Sequence, residues 1–536
     1  QAQWPPAATY GDVQGTAAAP YPAPATADYQ GYDNGAYAAY ATTTVTTEPP
    51  PLSTFVLPGT QLSTPNLTSS KQMLTYAPWR SETMDYGKCA NRFQIPDVPP
   101  ERATDLNGVQ LPDTCFTDAA VSADGYHHVF VIGDWGGSLQ GATPVPADHR
   151  SKMFPAHHRE YVLGADNMAQ QNVAKQMALR AAQSQPDYVL NVGDNFYWGG
   201  IVVKCGAPPA HAADPSGQWK FVYEEMYHGD GLDNKQWLGV LGNHDFGGYA
   251  FTNGWDQAIA YTWMKNAPSR QRWVTPALYY TTTVHYADFS ADYFFVDSNV
   301  FDAFEPHADE HHNICSLTHN PQHGAATCGE MGPVSPEECP KWFKRLWDAE
   351  VKWLSAGLQD SLADWQVIVT HFPPEHGLHD WKKLTRTYGV DLMITGHRHQ
   401  QEVHYMEDGN FISPTAYIVS GGGGGITSED VPDADGYDDM YGFMDLTLSK
   451  QEIRIAALSH QGRVRSTHCV TPVQPGGVQM ARPVPSLCDG IPEGPEERPA
   501  PQVITDGDVG DAGQASPSPP AGRLSFFSWL RGVLHL

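Results

Sequence analysis

Five short apolar runs, far apart along the chain, each lead into residues that bind cations. Val129-Phe130-Val131-Ile132 leads into Gly133-Asp134-Trp135-Gly136, and Tyr188-Val189-Leu190-Asn191-Val192 into Gly193-Asp194-Asn195-Phe196-Tyr197. Trp237-Leu238-Gly239-Val240-Leu241 leads into Gly242-Asn243-His244-Asp245. Val367-Ile368-Val369-Thr370 leads into His371, and Leu392-Met393-Ile394-Thr395 into Gly396-His397-Arg398-His399. Apolar runs of this length read as strands buried on both faces, as in parallel sheets. Open α/β sheets bind ligands in the crevice beyond the carboxyl ends of their strands. The simplest arrangement is one crevice where all five strand ends meet.

The polar residues at those ends are Asp134, Asp194, Tyr197, Asn243, His371, His397 and His399. They offer carboxylate, amide, phenolate and imidazole donors, and all are candidate metal ligands. Two cations ~4 Å apart need about that many ligands, one carboxylate being shared between them. Taken singly, each has a blander reading. Asp134 or Asp245 alone would be a turn or cap residue, Tyr197 a core aromatic, and His371 a hydrogen-bonded interior histidine. Trp135, Phe196 and Trp198 read as packing. Five strand-end coincidences in order do not follow from those readings.

The connections fit an alternating α/β chain. A helix is expected over about 166–183, with Val173, Ala174, Met177, Ala178 and Ala181 on one face. It joins two of the runs as a strand–helix–strand unit, which implies parallel strands and a right-handed crossover. Residues 278–297 read as a hairpin, as do 442–458. A second helix near 341–358 sets Phe343, Trp347, Val351, Leu354 and Leu358 on one face. Residues 301–339 read as an inserted solvent loop with one disulfide among Cys315, Cys328 and Cys339. Its five histidines (His307, His311, His312, His319, His323) fit no zinc spacing. The strand Tyr417-Ile418-Val419-Ser420 runs into five glycines with no Lys-Ser/Thr after them, which excludes a nucleotide P-loop.

Composition divides the chain into a disordered arm (1–60), an accessory wrapping segment (61–123), a globular body (124–470) and a Pro/Gly-rich tail (471–536). The arm is rich in Ala, Pro, Tyr and Thr, which cannot bury enough apolar surface to order itself. The accessory segment carries Cys89 and Cys115, a candidate staple. The tail ends in the short apolar stretch Leu524–Leu536, which would dock on a partner or membrane interface or pack back on the body. The net charge of −28 argues against nucleic acid as a partner. An anionic substrate remains open, because bound cations invert the local field. No apolar run is long enough for a transmembrane helix. Gln1 at the start, with no basic and apolar leader, reads as a processed mature chain. Together with the sequon Asn66-Leu67-Thr68 and an even number of cysteines, it favours a secreted, extracellular or lumenal glycoprotein.

The five blocks, in this order, resemble those of the calcineurin-like metallophosphatases. Tyr197, three residues after Asp194, points to the purple acid phosphatases, and the wording Asp194-Asn195-Phe196-Tyr197 is similar to the tartrate-resistant type. The resemblance covers residues 125–460. It implies two mixed β-sheets packed as a sandwich with helices outside, an αββα arrangement. It further implies that Asp134, Asp194, Tyr197 and His399 hold Fe(III), and that Asp194, Asn243, His371 and His397 hold a divalent ion such as Fe, Zn or Mn. The family places one more histidine after the His371 block, for which His376 and His379 are the candidates here. The Thr370-His371-Phe372-Pro373-Pro374 block departs from the small type, and Arg398 stands where that type commonly has Asp.

The implied activity is acid phosphatase: hydrolysis of phosphate monoesters by attack of a metal-bound hydroxide. His244 would protonate the leaving group, with His376 or His379 second. Two alternatives keep the fold. One cleaves phosphodiesters or nucleotides, and the other is an extracellular or surface scaffold whose tails bind a protein or surface partner.

Overall fold

The structure, a computed structural model, describes residues 89–118, 120, 122–137, 159–210, 217–248, 250–264, 272–308, 312–320, 326–407 and 409–491. The N-terminal arm, Asn66, His311, His323 and the apolar C-terminal stretch lie outside the described residues. In chain order the first strands are β1 (Val109–Gln110), β2 (Thr114–Phe116), β3 (His127–Ile132), β4 (Tyr188–Asn191), β5 (Trp237–Gly239), β6 (Trp273–Val274), β7 (Tyr280–Tyr286) and β8 (Ser290–Val296). They continue as β9 (Trp365–Thr370), β10 (Leu392–Thr395), β11 (Gln401–His404), β12 (Ala416–Ser420), β13 (Gly442–Leu448), β14 (Ile453–Ser459) and β15 (Val464–Val470). The helices are α1 (Ala169–Ser184), α2 (Trp255–Ala260), α3 (Cys339–Asp360) and α4 (Leu378–Tyr388).

Two mixed sheets form. One has the order β15-β14-β13-β3-β4-β5-β6; the other has β1-β7-β8-β9-β10-β12-β11, with β2 also pairing β7. β3 through β6 run parallel in the first sheet, and β8, β9, β10 and β12 run parallel in the second. Period-two alternation splits the buried residues of each strand between two layers. Val129, Val131, Leu190 and Leu238 turn inward and meet Phe295, Val367, Val369, Ile394 and Ile418 of the facing sheet. Phe130 and Ile132 turn outward against Val173 and Met177 of α1. Phe294, Ile368, Met393 and Val419 pack outward with Leu354 of α3 and Leu384 of α4. Each such fully buried side chain contributes about 1.5–3 kcal/mol relative to exposure. The result is the helix–sheet–sheet–helix sandwich expected from the blocks, with the parallel strands of both sheets ending on one rim.

The first described residues add β1 and β2 to the edge of β7, and Cys89–Cys115 fastens them. Residues 471–491 continue past β15: Val473 donates its N–H to Asp391 at 2.5 Å, and Cys469–Cys488 holds the segment. The inserted loop differs from its sequence reading. Cys315 pairs with Cys339, while Cys328 reaches back to Cys205, giving two bridges rather than one. Ile314 and Cys315 are fully buried, so the loop contributes to the core instead of lying in solvent. The signal was absent because Cys205 lies far upstream, in another loop. Among the described residues no helix is long and apolar enough to cross a membrane.

Candidate metal centre

Three of the seven predicted ligand residues adopt the left-handed backbone region: Asp134 (φ 57°), Asp194 (φ 51°) and His397 (φ 72°). Such strain costs of order 1–3 kcal/mol per residue and persists only where surrounding contacts hold it. Here the contacts lace the turns to one another. The Asp134 amide donates to Gly193 O at 3.0 Å, the Tyr197 amide to Gly136 O at 2.9 Å, and the His397 amide to Asp134 Oδ2 at 3.0 Å. Asp245 ties the second turn to the third. Its carboxylate accepts from the Asn195 amide at 3.0 Å, Asn195 Nδ2 at 2.9 Å and the Gly242 amide at 2.8 Å. Two glycines are dictated by the close approach. A Cβ at Gly396 would stand 2.6 Å from Asp134 Oδ2, and one at Gly242 would collide with Asp194 Oδ1.

All seven side chains come together. Tyr197 Oη lies 3.1 Å from Asp134 Oδ1, 2.9 Å from Asp194 Oδ2 and 3.3 Å from His399 Nε2. His399 Nε2 is 3.6 Å from Asp134 Oδ1. On the other side of Asp194, His371 Nε2 is 3.4 Å from Asp194 Oδ2 and 3.1 Å from Asn243 Oδ1. The His397 ring is centred 5.3 Å from that of His371. Asp194 therefore stands between two donor groups, one of Asp134, Tyr197 and His399, the other of Asn243 and His371. His371 Nδ1 meets the Val192 carbonyl at 2.8 Å, so Nδ1 carries a proton and Nε2 is the nitrogen that faces the cluster.

The electrostatics ask for positive charge. Asp134 and Asp194 are 1% and 0% exposed, too deep for water to solvate two anions. Burial pushes the Asp134 carboxyl well above the usual range, and the neighbouring Asp194 charge adds to this. Burial acts on Asp194 the same way, but the charges of His371 and His244 outweigh it and hold its carboxyl low. Burial pulls His371 downward, yet Asp194 overrides it and raises the ring to about 10. Burial, with Asp134 and Asp194 beside it, pushes the Tyr197 phenol well above its ordinary value. Hard oxygen and borderline imidazole donors around two buried carboxylates suit a cation pair, so the donor set fits the metals implied by the sequence. Asp134, Asp194 and His399 each offer a ligand atom within 4.8 Å of the others.

Around this cluster stand residues of different exposure. His244, 7% exposed, donates its amide to Asp194 Oδ1 at 2.8 Å, and its Nδ1 lies 2.6 Å from the Trp198 carbonyl. Burial lowers its pKa to about 4. The His376 ring is centred 5.5 Å from His397, whereas His379 is exposed on α4 with no described contact to the cluster. Arg398 points away into an ion network with Glu375 and with Glu402, 2.7 Å distant. Trp135 and Phe196 are buried packing, as read from sequence; Trp198 is 46% exposed beside His244. Sequence reading missed Glu429, which accepts the His399 amide at 3.2 Å. It lies thirty residues away in a polar loop, with no pattern to mark it.

This fold and rim define a class. The chain belongs to the calcineurin-like phosphoesterase family, whose model matches residues 127–401. It is similar to tartrate-resistant acid phosphatase type 5 of Mus musculus, 23% identical over 316 residues, covering 54% of this chain and 80% of that protein. It is also similar to purple acid phosphatase 3 of Arabidopsis thaliana, 25% identical over 311 residues, covering 55% of this chain and 71% of that protein. Among solved structures, "GAP50 the anchor in the inner membrane complex of Plasmodium" matches with TM-score 0.42 and 19% identity, over 65% of this chain and 90% of that one. The purple acid phosphatase from yellow lupin seeds matches with TM-score 0.35 and 16% identity, over 68% of this chain and 56% of that one.

Proposed function

We propose that this phosphoesterase is a secreted or lumenal acid phosphatase that hydrolyses phosphate monoesters at a two-metal centre. The observation that carries the reading is the position of Tyr197 Oη, within 3.3 Å of donor atoms from Asp134, Asp194 and His399. Asp134, Asp194, Tyr197 and His399 would hold a ferric ion, which suits a phenolate. Asp194, Asn243, His371 and His397 would hold a divalent ion, Fe, Zn or Mn. Such a pair supplies Lewis-acid polarisation of the phosphoryl group and acidifies water, so that a nucleophile exists below neutral pH. The four disulfides support an oxidising compartment.

The protein side chains then have separate tasks. His371 is oriented by the Val192 carbonyl, and Asp194 by the His244 amide, so both enter the centre with their geometry already set. His244 handles the leaving group. With Nδ1 held at the Trp198 carbonyl, its second proton enters at Nε2, and it does so as pH falls toward about 4. Proton donation to the leaving oxygen therefore strengthens on the acid side. His376, near His397, is the second proton carrier.

The test uses the full chain. Elemental analysis, the visible spectrum and hydrolysis of 4-nitrophenyl phosphate from about pH 4 to about pH 8 are measured on one preparation. Iron with a second metal, a visible phenolate band and an acid optimum are expected. Asp194→Ala should lose both metals and lower turnover by about three orders of magnitude or more. Metal with no visible band would remove Tyr197 from the ligand set. Full turnover in Asp194→Ala would end the proposal.

A further inference from the structure

Three rings stand in series from the candidate centre to solvent. The Tyr197 ring is centred 4.4 Å from His244, and the His244 ring 4.5 Å from Trp198. Exposure is 7% for Tyr197, 7% for His244 and 46% for Trp198, so the series begins in the protein and ends at its mouth. A single exposed tryptophan needs no explanation of its own. Its neighbours supply one here. The Trp198 backbone carbonyl is the partner of His244 Nδ1 at 2.6 Å, so the main chain that carries the indole is tied to the imidazole assigned to the leaving group. The backbone on either side is pinned as well. The Tyr197 amide donates to Gly136 O at 2.9 Å, the Gly200 amide to Phe196 O at 2.9 Å, and Asn253 Nδ2 to Gly199 O at 2.7 Å. The backbone that carries the indole is thus preset, and the ring rests beside His244, which lowers the cost of ordering it when something lies on it.

An ester bound with its phosphorus at the centre must turn its leaving oxygen toward His244 Nε2. Whatever that oxygen carries then passes over the neighbouring indole. We infer that Trp198 is a stacking shelf for the leaving group, and that the site selects phosphate esters of aromatic alcohols. The inference rests on the phosphoesterase reading above and names the substrate class for that same site. Trp198 makes no bond to the reacting atoms; it acts on specificity through the π face it offers.

Phosphotyrosine and phosphoserine test it, because they share the dianionic group and differ in the ring. Trp198→Leu keeps apolar bulk and removes the π face. The ratio of kcat/KM for phosphotyrosine to that for phosphoserine should fall about tenfold relative to wild type, mainly through KM. Trp198→Phe should regain most of it. A ratio within about twofold of wild type, or an equal loss in kcat for both esters, overturns the shelf and leaves the phosphatase reading standing. Competitive inhibition of the wild type gives a second measure that needs no variant. Phenylphosphonate should bind about tenfold more tightly than methylphosphonate, and equal inhibition overturns the inference. A wild-type chain inert toward both esters overturns the phosphatase reading and the shelf together.

Discussion

His376 and His379 are three residues apart, and the fold sends them to different places. His376 lies in the loop before α4, its ring 5.0 Å from Phe372 and 5.5 Å from His397. Burial, with Arg398 and His371 nearby, lowers its pKa to about 4, so it gains a proton on the acid side, as a proton donor must. His379 is exposed in the first turn of α4. His376→Ala should lower kcat by about a hundredfold, while His379→Ala should stay within about twofold. The reverse order, measured with 4-nitrophenyl phosphate, would exclude His376. At this scale the candidate ligands were legible because each follows an apolar run by one to a few residues. Spacing alone did not choose between His376 and His379; the fold sets the His376 ring beside His397 and leaves His379 exposed at the start of α4. Glu429 and the exposed face of Trp198 were not legible, because neither is defined by its own neighbours in the chain. Asp245, which taken alone would be a turn or cap residue, bonds to both Asn195 and Gly242 and so joins the Asp194 and Asn243 loops.

At the level of elements, the helix near 341–358 was legible from its apolar stripe, and it forms as α3. Val351 packs against the core as expected, half-buried, and the fully buried residue beside it is Glu350, which the stripe did not include. The reason lies on the adjacent strand. Just after β8, the Asp297 amide needs an acceptor, and Glu350 Oε1 supplies it at 2.6 Å. A carboxyl there cannot ionise cheaply. Burial, then the Asp297 charge, pushes Glu350 well above its ordinary value, and burial lifts Asp297 to about 7. Both folded-state values exceed the unfolded ones, so the folded chain keeps protons that the unfolded chain has released. Stability from this pair is full below about pH 4 and is lost as pH rises through about 7. Glu350→Gln keeps the acceptor and cannot ionise. Its Tm relative to wild type should rise between pH 5 and pH 8, by roughly 2 °C or more. A difference that stays flat would mean the carboxyl is not pushed up. Other elements were hidden for a similar reason. β15 (Val-Arg-Ser-Thr-His-Cys-Val) buries Arg465 and Thr467 inside a paired strand, so hydrophobic alternation never marks it. β1 is too short to carry a period.

Over the whole molecule, parallel strands alternating with helices were legible from the apolar runs, whereas the two-sheet sandwich followed only from the resemblance of the five blocks. Charge is the property that acts beyond the fold. Lys and Arg number 32 against 60 Asp and Glu, so the chain repels the dianionic ester it is proposed to cleave. Repulsion of this kind is long-ranged at low salt, where the screening length is about 30 Å at 0.01 M, and short at 0.1 M, where it is about 10 Å. The centre itself attracts, but only over the last few ångströms. Arg398, next to the candidate ligands His397 and His399, would extend that attraction outward. It is tied to Glu375 and Glu402, which return two negative charges to the same rim. With the formal charge of −28, these carboxylates lead to the expectation of a negative net field on the approaching substrate. Raising salt from about 0.01 M to about 0.1 M should increase kcat/KM for a phosphate monoester by about two- to fivefold, with kcat nearly constant. Glu375→Gln should flatten that rise by removing one rim charge. If kcat/KM fell with salt instead, attraction from the centre would extend past the rim, and the acidic surface would play no part in substrate encounter.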